Sequence, residues 1–265
     1  MRFDVFSLFP EVFHPYLEIS ILKRAIQAGL IEVNTYNIRD WATDRHHTTD
    51  DTPYGGGGGM IMKPEPIFAA VEAIEGKPPT CPVILLSPQG RVFNQQLAFE
   101  LAGYERLALI CGRYEGFDER IREHLATHVL SIGDYILTGG ELPALIVMDA
   151  IARLQPGVLG DENAPSHDSF TNGLLEHPQY TRPPEFRGWK VPEVLLQGNH
   201  AQQAQWKREQ SLIRTLLSRP DLLLNAGLSE KDRTFLEKFM ASQLKELSPH
   251  KPTSNLEEDS DGTIK

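Results

Sequence analysis

The stretch Ser131-Ile132-Gly133-Asp134-Tyr135-Ile136-Leu137-Thr138-Gly139-Gly140-Glu141-Leu142-Pro143 carries the strongest signal in the chain. An apolar run at 129–132 ends in a glycine, a glycine pair follows, and an apolar helical pattern begins at Glu141. Such a loop offers bare backbone N–H and C=O groups beside apolar side chains, because glycine has no Cβ. It predicts close backbone contact with a flat, amphipathic ligand such as an adenosine.

Two further loops of this type follow apolar runs earlier in the chain. Residues 87–90 (Ser-Pro-Gln-Gly) follow one run, and residues 112–116 (Gly-Arg-Tyr-Glu-Gly) follow another. Alternating strand and helix patterns predict an α/β domain with a mostly parallel sheet and helices on both faces. Ligands bind such sheets at the carboxyl ends of the strands. The three loops together therefore predict one binding site at that edge.

The local patterns predict the following elements. Strands are expected at residues 2–8, 31–37, 83–86, 107–111 and 129–132. Helices are expected at residues 21–28, 94–101, 118–125, 141–154, 200–217 and 229–244. Ser20 and Asn94 are predicted N-caps, and Ser229 with Asp232 resembles a capping box. Residues 40–62 are interpreted as irregular.

Composition describes an ordinary globular chain of 265 residues, with 40% hydrophobic and 23% charged residues. Its two cysteines form no disulfide framework. No signal-peptide layout or membrane-spanning run is recognised, so we expect a cytoplasmic protein with no membrane partner. The net charge of -10 argues against a nucleic-acid partner, but residues 182–219 carry seven arginines and lysines against three glutamates. Because a local basic patch can bind RNA on an acidic protein, the question stays open.

Several familiar motifs are absent or incomplete. The glycine run at 55–59 is followed by Met60, so it is not a phosphate-binding P-loop, and no Gly-x-Gly-x-x-Gly follows the first strand. That run is either a flexible loop or a close backbone contact with a large ligand. His46-His47 and Asp50-Asp51 fit a solvated polar loop better than a metal site. No metal site is predicted; a divalent cation is possible but has no support in the sequence.

Longer motifs carry a family resemblance. Residues 109–120 (LICGRYEGFDER), 131–141 (SIGDYILTGGE), 53–60 (PYGGGGGM) and 175–183 (LEHPQYTRP) closely resemble those of bacterial tRNA (guanine-N1)-methyltransferases. The match runs in order from the first strand to about residue 244. Only the tail beyond it falls outside the resemblance.

The resemblance implies a fold that pattern analysis alone would not predict. It implies a deep C-terminal trefoil knot of the SPOUT class, although knots are very rare. Residues 1–159 would form the knotted methyltransferase domain and 160–175 a mobile linker. Residues 176–246 would form a small all-helical tRNA-binding domain, and 247–265 a disordered acidic tail.

The resemblance also implies a reaction. The cofactor is S-adenosyl-L-methionine, the substrate is tRNA, and the methyl group goes to N1 of the guanine immediately 3′ of the anticodon. The active unit is a homodimer in which the second subunit completes each site. The positions that match the family's cofactor site, or lie in the same loops, are Pro88, Gly112, Glu115, Ile132, Gly133, Asp134, Tyr135, Ile136, Leu137, Gly139, Gly140 and Pro143.

Two further positions match the family's catalytic residues. Asp168 matches the general base, and Arg153 matches the arginine that stabilises charge on guanine O6. Outside the family context, Asp168 is better explained as a loop carboxylate that caps a helix. Arg153 would then be an exposed arginine near a helix C-terminus, where a cation is favourable.

Recognition of RNA is expected in the basic segment, because the target base must leave its stack to react. The candidate contacts are Arg187, Trp189, Lys190, His200, Lys207 and Arg208. Trp206 is a further candidate for stacking. The alternative is that Trp189 and Trp206 pack the C-terminal domain, and this alternative is stronger for Trp206.

Two functions other than RNA methylation are also consistent with parts of the sequence. One is a nucleotide-dependent enzyme that acts on a small molecule and dimerises through its C-terminal helices. The basic segment and the glycine-rich loop disfavour it. The other is an inactive RNA-binding protein that only senses the cofactor, and the presence of both Asp168 and Arg153 disfavours that hypothesis.

Overall fold

The computed structural model describes residues 1–161 and 164–247. The chain divides into two compact units, with a boundary between Thr171 and Asn172. The predicted tail lies outside the described residues from position 248 onward, and so do positions 162 and 163 of the predicted linker.

A five-stranded parallel sheet forms the centre of the first unit. Its strands are β1 (Arg2–Ser7), β2 (Glu32–Asn37), β5 (Val83–Val92), β6 (Arg106–Cys111) and β7 (His128–Ser131). They lie in the order β2-β1-β6-β5-β7, and every neighbouring pair is parallel. The predicted α/β fold with a mostly parallel sheet is confirmed. Because all five strands run the same way, their first residues share an amino edge and their last residues share a carboxyl edge.

Helices cover both faces of this sheet. The first-unit helices are α1 (His14–Leu17), α2 (Ser20–Gln27), α3 (Pro64–Glu75), α4 (Gln95–Ala102), α5 (Glu119–His124), α6 (Glu141–Ala152) and α7 (Ala164–His167). On β6, Leu107 and Leu109 join one apolar core with α2, α4 and α6, whereas Ala108 and Ile110 join another with α3 and α5. This alternation follows from the period of two in a strand, and it makes β6 buried on both sides.

Local signals placed some helix ends correctly and others wrongly. Asn94 caps α4, where its side chain accepts the N–H of Leu97 at 2.9 Å. Ser20 is not a cap: it is the first residue of α2, has φ of +51°, and Ile19 occupies the cap position without a side-chain bond. Helix α3 has no counterpart among the predicted elements.

Strand β5 is longer than predicted. Instead of ending at Leu86 it continues to Val92, and both Leu86 and Arg91 pair with Leu130 of β7. The residues between them form an irregularity inside the strand. A Cβ on Gly90 would lie 2.4 Å from the carbonyl of Val129, so only glycine fits against that backbone.

The second unit is mostly helical. Its helices are α8 (Glu193–Leu196), α9 (His200–Ser218) and α10 (Glu230–Leu247), with a small core of Leu174, Leu212 and Leu236. Asp232 accepts the N–H of Ser229 at 2.9 Å, and the Ser229 hydroxyl accepts the N–H of Asp232, so the predicted capping box is confirmed.

The prediction of an all-helical second unit is wrong. Short strands β8 (Glu185–Phe186) and β9 (Trp189–Lys190) form an antiparallel hairpin. Its two turn residues, Arg187 and Gly188, both have positive φ, as a type I′ hairpin turn requires. The remaining strands, β3 (Asp50–Asp51) and β4 (Ile61–Met62), pair in the region interpreted as irregular.

None of the helices that the structure describes is both long and apolar enough to cross a membrane. No group of three or more His, Cys, Asp or Glu side chains is arranged among the described residues to hold a metal ion.

Candidate active site at the carboxyl edge of the sheet

A cavity of about 590 Å³ opens at the carboxyl edge of the sheet. It lies between the irregular segment inside β5 and the loops that follow β6 and β7, where the sequence predicted a binding site. The volume is in the range of small-molecule sites, which is about 300–1,000 Å³. Of the twelve predicted cofactor residues, eleven line it: Pro88, Gly112, Glu115, Ile132, Gly133, Tyr135, Ile136, Leu137, Gly139, Gly140 and Pro143. Asp134 does not.

Other lining residues were not predicted. Gln89, Arg113, Phe117 and Thr138 also face the cavity. Each lies next to or inside one of the three loops, so treating every loop as a continuous lining segment would have found them. Cys111 ends β6 directly below Gly112, but burial raises the pKa of its thiol well above the usual value. A protonated, fully buried thiol is no candidate for a nucleophile.

Two of the loops meet through their backbones. The N–H of Gly140 donates to the carbonyl of Gly112 at 2.8 Å. A Cβ on Gly140 would lie 2.6 Å from the nitrogen of Gly112, so any larger residue would force the loops apart. Glycine is needed at position 140 for this close approach, not for unusual backbone angles, because its φ is -85°.

The loop after β7 is fixed at its start and exposed at its tip. The Ser131 hydroxyl donates to the carbonyl of Gly133 at 3.1 Å and also accepts that residue's N–H. Further along, Tyr135 is half exposed and Ile136 is 78% exposed. Such exposed apolar side chains at a cavity mouth mark a surface that a ligand or a partner covers.

The glycine-rich segment at 55–59 lies beside the cavity wall. The N–H of Glu115 donates to the carbonyl of Met60 at 2.9 Å, and the N–H of Met62 donates to Gly116 at 2.9 Å. A Cβ on Gly59 would lie 2.5 Å from Glu115 Cγ, and Gly59 has φ of +83°. Gly59 therefore suits its position mainly through its left-handed backbone, while Gly55, Gly56 and Gly58 face open space.

Arg153 and Asp168 lie together. Arg153 follows the last residue of α6, and Asp168 follows α7. Arg153 Nη1 donates to Asp168 Oδ2 at 2.5 Å, and each side chain is about one third exposed. The structure thus joins the two predicted catalytic residues, both within reach of an incoming substrate.

This pair is not at the cavity of its own chain. Pro143, near the start of α6, lines the cavity. A helix rises about 1.5 Å per residue, which separates Pro143 from Arg153 by about 15 Å along the axis. The segment after α6 lies near the amino edge, because a Cβ on Gly157 would be 3.5 Å from Leu30, which precedes β2.

The hairpin of the second unit presents three of the predicted RNA contacts. Trp189 is 71% exposed, and its ring lies 6.2 Å from that of Phe186, which was not predicted. The Arg187 guanidinium lies 5.1 Å from the centre of the Phe186 ring. Lys190 Nζ is 3.9 Å from Glu185 in a loose, exposed pair. Two open aromatic faces and two cations therefore share one small hairpin.

The remaining candidates lie on α9, and they differ in their partners. His200 and Lys207 are exposed. Arg208 binds Asp232 of α10 through two hydrogen bonds of 3.1 and 2.9 Å. Those bonds hold the pKa of Asp232 at about 2. The ring of Trp206 packs 6.4 Å from Tyr180, as the packing alternative predicted.

Known proteins are similar in sequence to this chain over most of its length. The family model described as tRNA (Guanine-1)-methyltransferase TrmD matches residues 1–225. A tRNA (guanine-N(1)-)-methyltransferase of Dehalococcoides mccartyi is 58% identical over 92% of this chain and 98% of its own length. One from Citrifermentans bemidjiense is 54% identical over 92% and 99%. One from Thermomicrobium roseum is 56% identical over 90% and 89%.

Proposed function

The chain belongs to the TrmD family of tRNA (guanine-1)-methyltransferases, and from this membership we propose its reaction. It transfers a methyl group from S-adenosyl-L-methionine to N1 of the guanine immediately 3′ of the tRNA anticodon. The observation that carries this proposal is the cavity at the carboxyl edge, whose wall consists of the loops that hold the family's motifs.

The cavity lining suits this methyl donor. Apolar side chains of Ile132 and Leu137 alternate with bare backbone at Gly112, Gly133 and Gly140. Flat, apolar base faces pack on the former, and their polar edges hydrogen bond to the latter. Glu115 adds a carboxylate, which complements the positive charge of a sulfonium. The donor supplies an activated methyl group, so the protein must align it with the acceptor.

Asp168 and Arg153 carry the proton and charge chemistry in this proposal. Guanine N1 bears a proton at neutral pH, and a carboxylate in hydrogen-bond reach removes it. Negative charge then develops toward O6, where a guanidinium stabilises it through charge-assisted hydrogen bonds. Their present contact keeps each group ordered until the base displaces one of them.

The position of this pair supports a homodimer. The pair and the cavity of one chain lie at opposite ends of α6, so a single chain does not bring acceptor chemistry to the donor. A second copy supplies the missing half. Leu142 and Ile146 are exposed one turn apart on α6, and they offer an apolar surface for that copy.

Mixing two inactive variants tests the shared site. Asp168→Asn lacks the base, and Gly140→Val blocks the cavity. Each heterodimer of the two variants would contain one site with an intact cavity and an intact base, so we expect mixing to restore part of the transfer. Continued inactivity, with exchange of subunits verified by tagged copies, would contradict a site built from two chains.

A trefoil knot of the SPOUT class completes the proposed fold. The hydrogen bond from Gly140 to Gly112 supports it, because this bond draws the loops after β6 and β7 together. The proposed domains are residues 1–159 for methyl transfer, 160–175 as a linker that carries the base, and 176–246 for tRNA binding.

The hairpin and α9 provide the proposed tRNA surface. Unpaired bases stack on Trp189 and Phe186, while Arg187, Lys190 and Lys207 face phosphates. His200 is a further contact at the start of α9. Arg208 serves the second unit itself, because its guanidinium is already bound by Asp232.

The decisive experiment is methyl transfer from labelled S-adenosyl-L-methionine to unmodified tRNA, with the product base mapped. We expect label on N1 of the guanine 3′ of the anticodon. Absence of transfer to any tRNA, or label on another base, would overturn the proposal.

A further inference from the structure

Glu141, the first residue of α6, is a buried carboxylate that the proposed reaction does not use. Its exposure is only 2%. The Ser7 hydroxyl, at the end of β1, donates to Glu141 Oε1 at 2.6 Å. Arg113 Nη2, in the loop after β6, lies 2.9 Å from Oε2. One carboxylate thus connects a strand end, a cavity loop and a helix start.

Arg113 extends this connection to the third loop. Its Nη1 donates to the carbonyl of Thr138 at 3.3 Å, and its guanidinium lies 4.5 Å from the centre of the Phe9 ring. Thr138 directly precedes the glycine pair that meets Gly112. The guanidinium therefore spans the two loops that form most of the cavity wall.

Gly139 packs directly on this ion pair. A Cβ there would lie 2.4 Å from Arg113 Nε and 2.6 Å from Glu141 Oε2. The next residue makes the backbone bond to Gly112 described above. The glycine pair is therefore held between the side chains of Glu141 and Arg113 on one side and the backbone of Gly112 on the other.

Stability alone does not account for such an arrangement. A buried ion pair loses hydration that its mutual attraction often fails to offset, and apolar residues of similar size stabilise a core as well or better. What the pair adds is position: a hydrogen bond from Ser7 holds Glu141, and a hydrogen bond to Thr138 holds Arg113. Their contact therefore relates the segments that carry them. These segments are the walls of the proposed donor site.

We propose that Glu141 and Arg113 are positioning residues that hold the loops at 112–116 and 132–140 at the spacing required for donor binding. Arg113 lines the cavity, but Glu141 and Thr138 engage its two terminal nitrogens, so it acts on the loops instead of binding the donor. This inference rests on the proposed function, because it names the donor as the ligand of the cavity.

The test compares wild type with Glu141→Gln. A glutamine still accepts from Ser7, but its amide presents N–H groups or a neutral oxygen to Arg113, and the ion pair is lost. We expect the Kd for S-adenosyl-L-methionine, measured by calorimetry without tRNA, to rise about 10- to 100-fold, the equivalent of one hydrogen bond to a charged group. The Kd for tRNA should be unchanged.

A second readout needs no donor. Hydrogen exchange of the Gly140 amide in the free protein reports the bond to Gly112. We expect faster exchange in Glu141→Gln while amides in the centres of β1 and β6 stay protected. A merely structural role would instead speed exchange throughout the first unit.

Glu75→Gln is the matched control. Glu75 is also buried and also paired with an arginine, Arg106, at 3.1 Å, but it does not line the cavity. We expect its donor Kd and its Gly140 exchange to equal those of wild type. Equal losses in both variants would overturn the positioning role.

Arg113→Gln provides an independent route if Glu141→Gln does not fold. The two substitutions should be strongly non-additive in donor Kd, because each breaks the same pair. Additive effects, or an unchanged donor Kd in either folded variant, would overturn the inference. If wild type itself bound no donor or methylated no tRNA, the proposed function would fail instead, and the two failures are thus distinguishable.

Discussion

The two edges of the central sheet bury similar charged groups in different settings. Toward the amino edge, Asp4 Oδ2 lies 3.0 Å from Arg106 Nε, and Glu75 Oε2 lies 3.1 Å from Arg106 Nη1. At the carboxyl edge, Glu141 contacts Arg113. The first cluster joins residues of strands and the end of a helix, which the core already fixes. The second joins loops that have glycine where they meet.

The role of a buried ion pair thus depends on which segments it connects. Between rigid elements, whose positions the core already fixes, the ion pair mainly affects the stability of the protein and the pH dependence of that stability. Between loops it sets a spacing that the core does not set. Substitutions at the two edges should therefore affect different properties: stability at the amino edge and donor binding at the carboxyl edge.

The largest effect should come from Asp168→Asn, which leaves both edges intact. If Asp168 is the general base, transfer should fall about 100- to 10,000-fold, while donor Kd stays at the wild-type value. Single-turnover methyl transfer and calorimetry measure the two. Asp221→Asn is the control, because Asp221 also pairs with an arginine but is exposed. Parallel loss of transfer and donor binding would make Asp168 structural.

Alanine at the meeting point of the loops should produce the next largest effect. Gly140→Ala places a Cβ against the Gly112 backbone, and overpacking of this kind costs about 1–3 kcal/mol. We expect it to appear as weaker donor binding with a small decrease in Tm. Gly103→Ala, at the amino edge, meets only the Glu100 carbonyl at 3.4 Å and should change neither quantity. Similar losses at both positions would remove the distinction between the edges.

A smaller effect should appear in the pH dependence of stability at the amino edge. Burial raises the pKa of Glu75, whereas for Asp4 the hydrogen bonds from Arg2 and Asn34 outweigh burial and lower the pKa. The stability from neutral Glu75 is thus complete below the ordinary glutamate pKa and is lost as pH rises through the raised value. Asp4 behaves oppositely: its contribution is lost as pH falls.

Glu75→Gln isolates the first of these contributions. In wild type, the free energy of unfolding should decline by at most about 1.4 kcal/mol per pH unit as pH rises above the ordinary glutamate pKa. The substitution should remove this decline. Urea titrations measure the free energy of unfolding between about pH 5 and pH 8, where proteins are usually most stable. Glu123→Gln, on the exposed face of α5, should keep the wild-type slope. An unchanged slope in Glu75→Gln would mean that Glu75 is ionised throughout.

The smallest effect concerns cations of the second unit. Lys207 forms no ion pair with another described residue, so Lys207→Ala should weaken tRNA binding modestly and reduce the salt slope by about 1. Arg208→Ala should instead lower the Tm of the second unit, since it leaves Asp232 without its partner. A reduced salt slope in Arg208→Ala would place that arginine on the RNA as well.

Features with short-range causes were predictable from the sequence. The five strands of the parallel sheet, the caps at Asn94 and Ser229, and the loops after β6 and β7 depend on neighbouring residues or on a parallel sheet. Helix α3 was not predicted because no side chain caps its first turn. Pro64 at its first position is nevertheless a signal for the start of a helix. The prediction of Ser20 as an N-cap was wrong because its backbone is left-handed, whereas a capping residue is usually extended.

Features with long-range causes were not predictable. The contacts of Glu141 with Arg113 and Ser7, and of Arg208 with Asp232, join residues far apart in the chain. No periodicity encodes such partners. The resemblance pointed to Arg153 and Asp168, and the helix pattern placed Arg153 near the end of α6, but the contact between the two side chains became visible only in the structure.

The bond between Gly140 and Gly112 also has a consequence for synthesis. The ribosome releases the amino-terminal part of a chain first, and contacts between distant residues form late. β1, for example, pairs with both β2 and β6, so its core can assemble once residue 111 has emerged. The cavity wall has to wait for residue 140 and the start of α6. Nascent chains of graded length should therefore acquire a protected sheet before they acquire any affinity for the methyl donor.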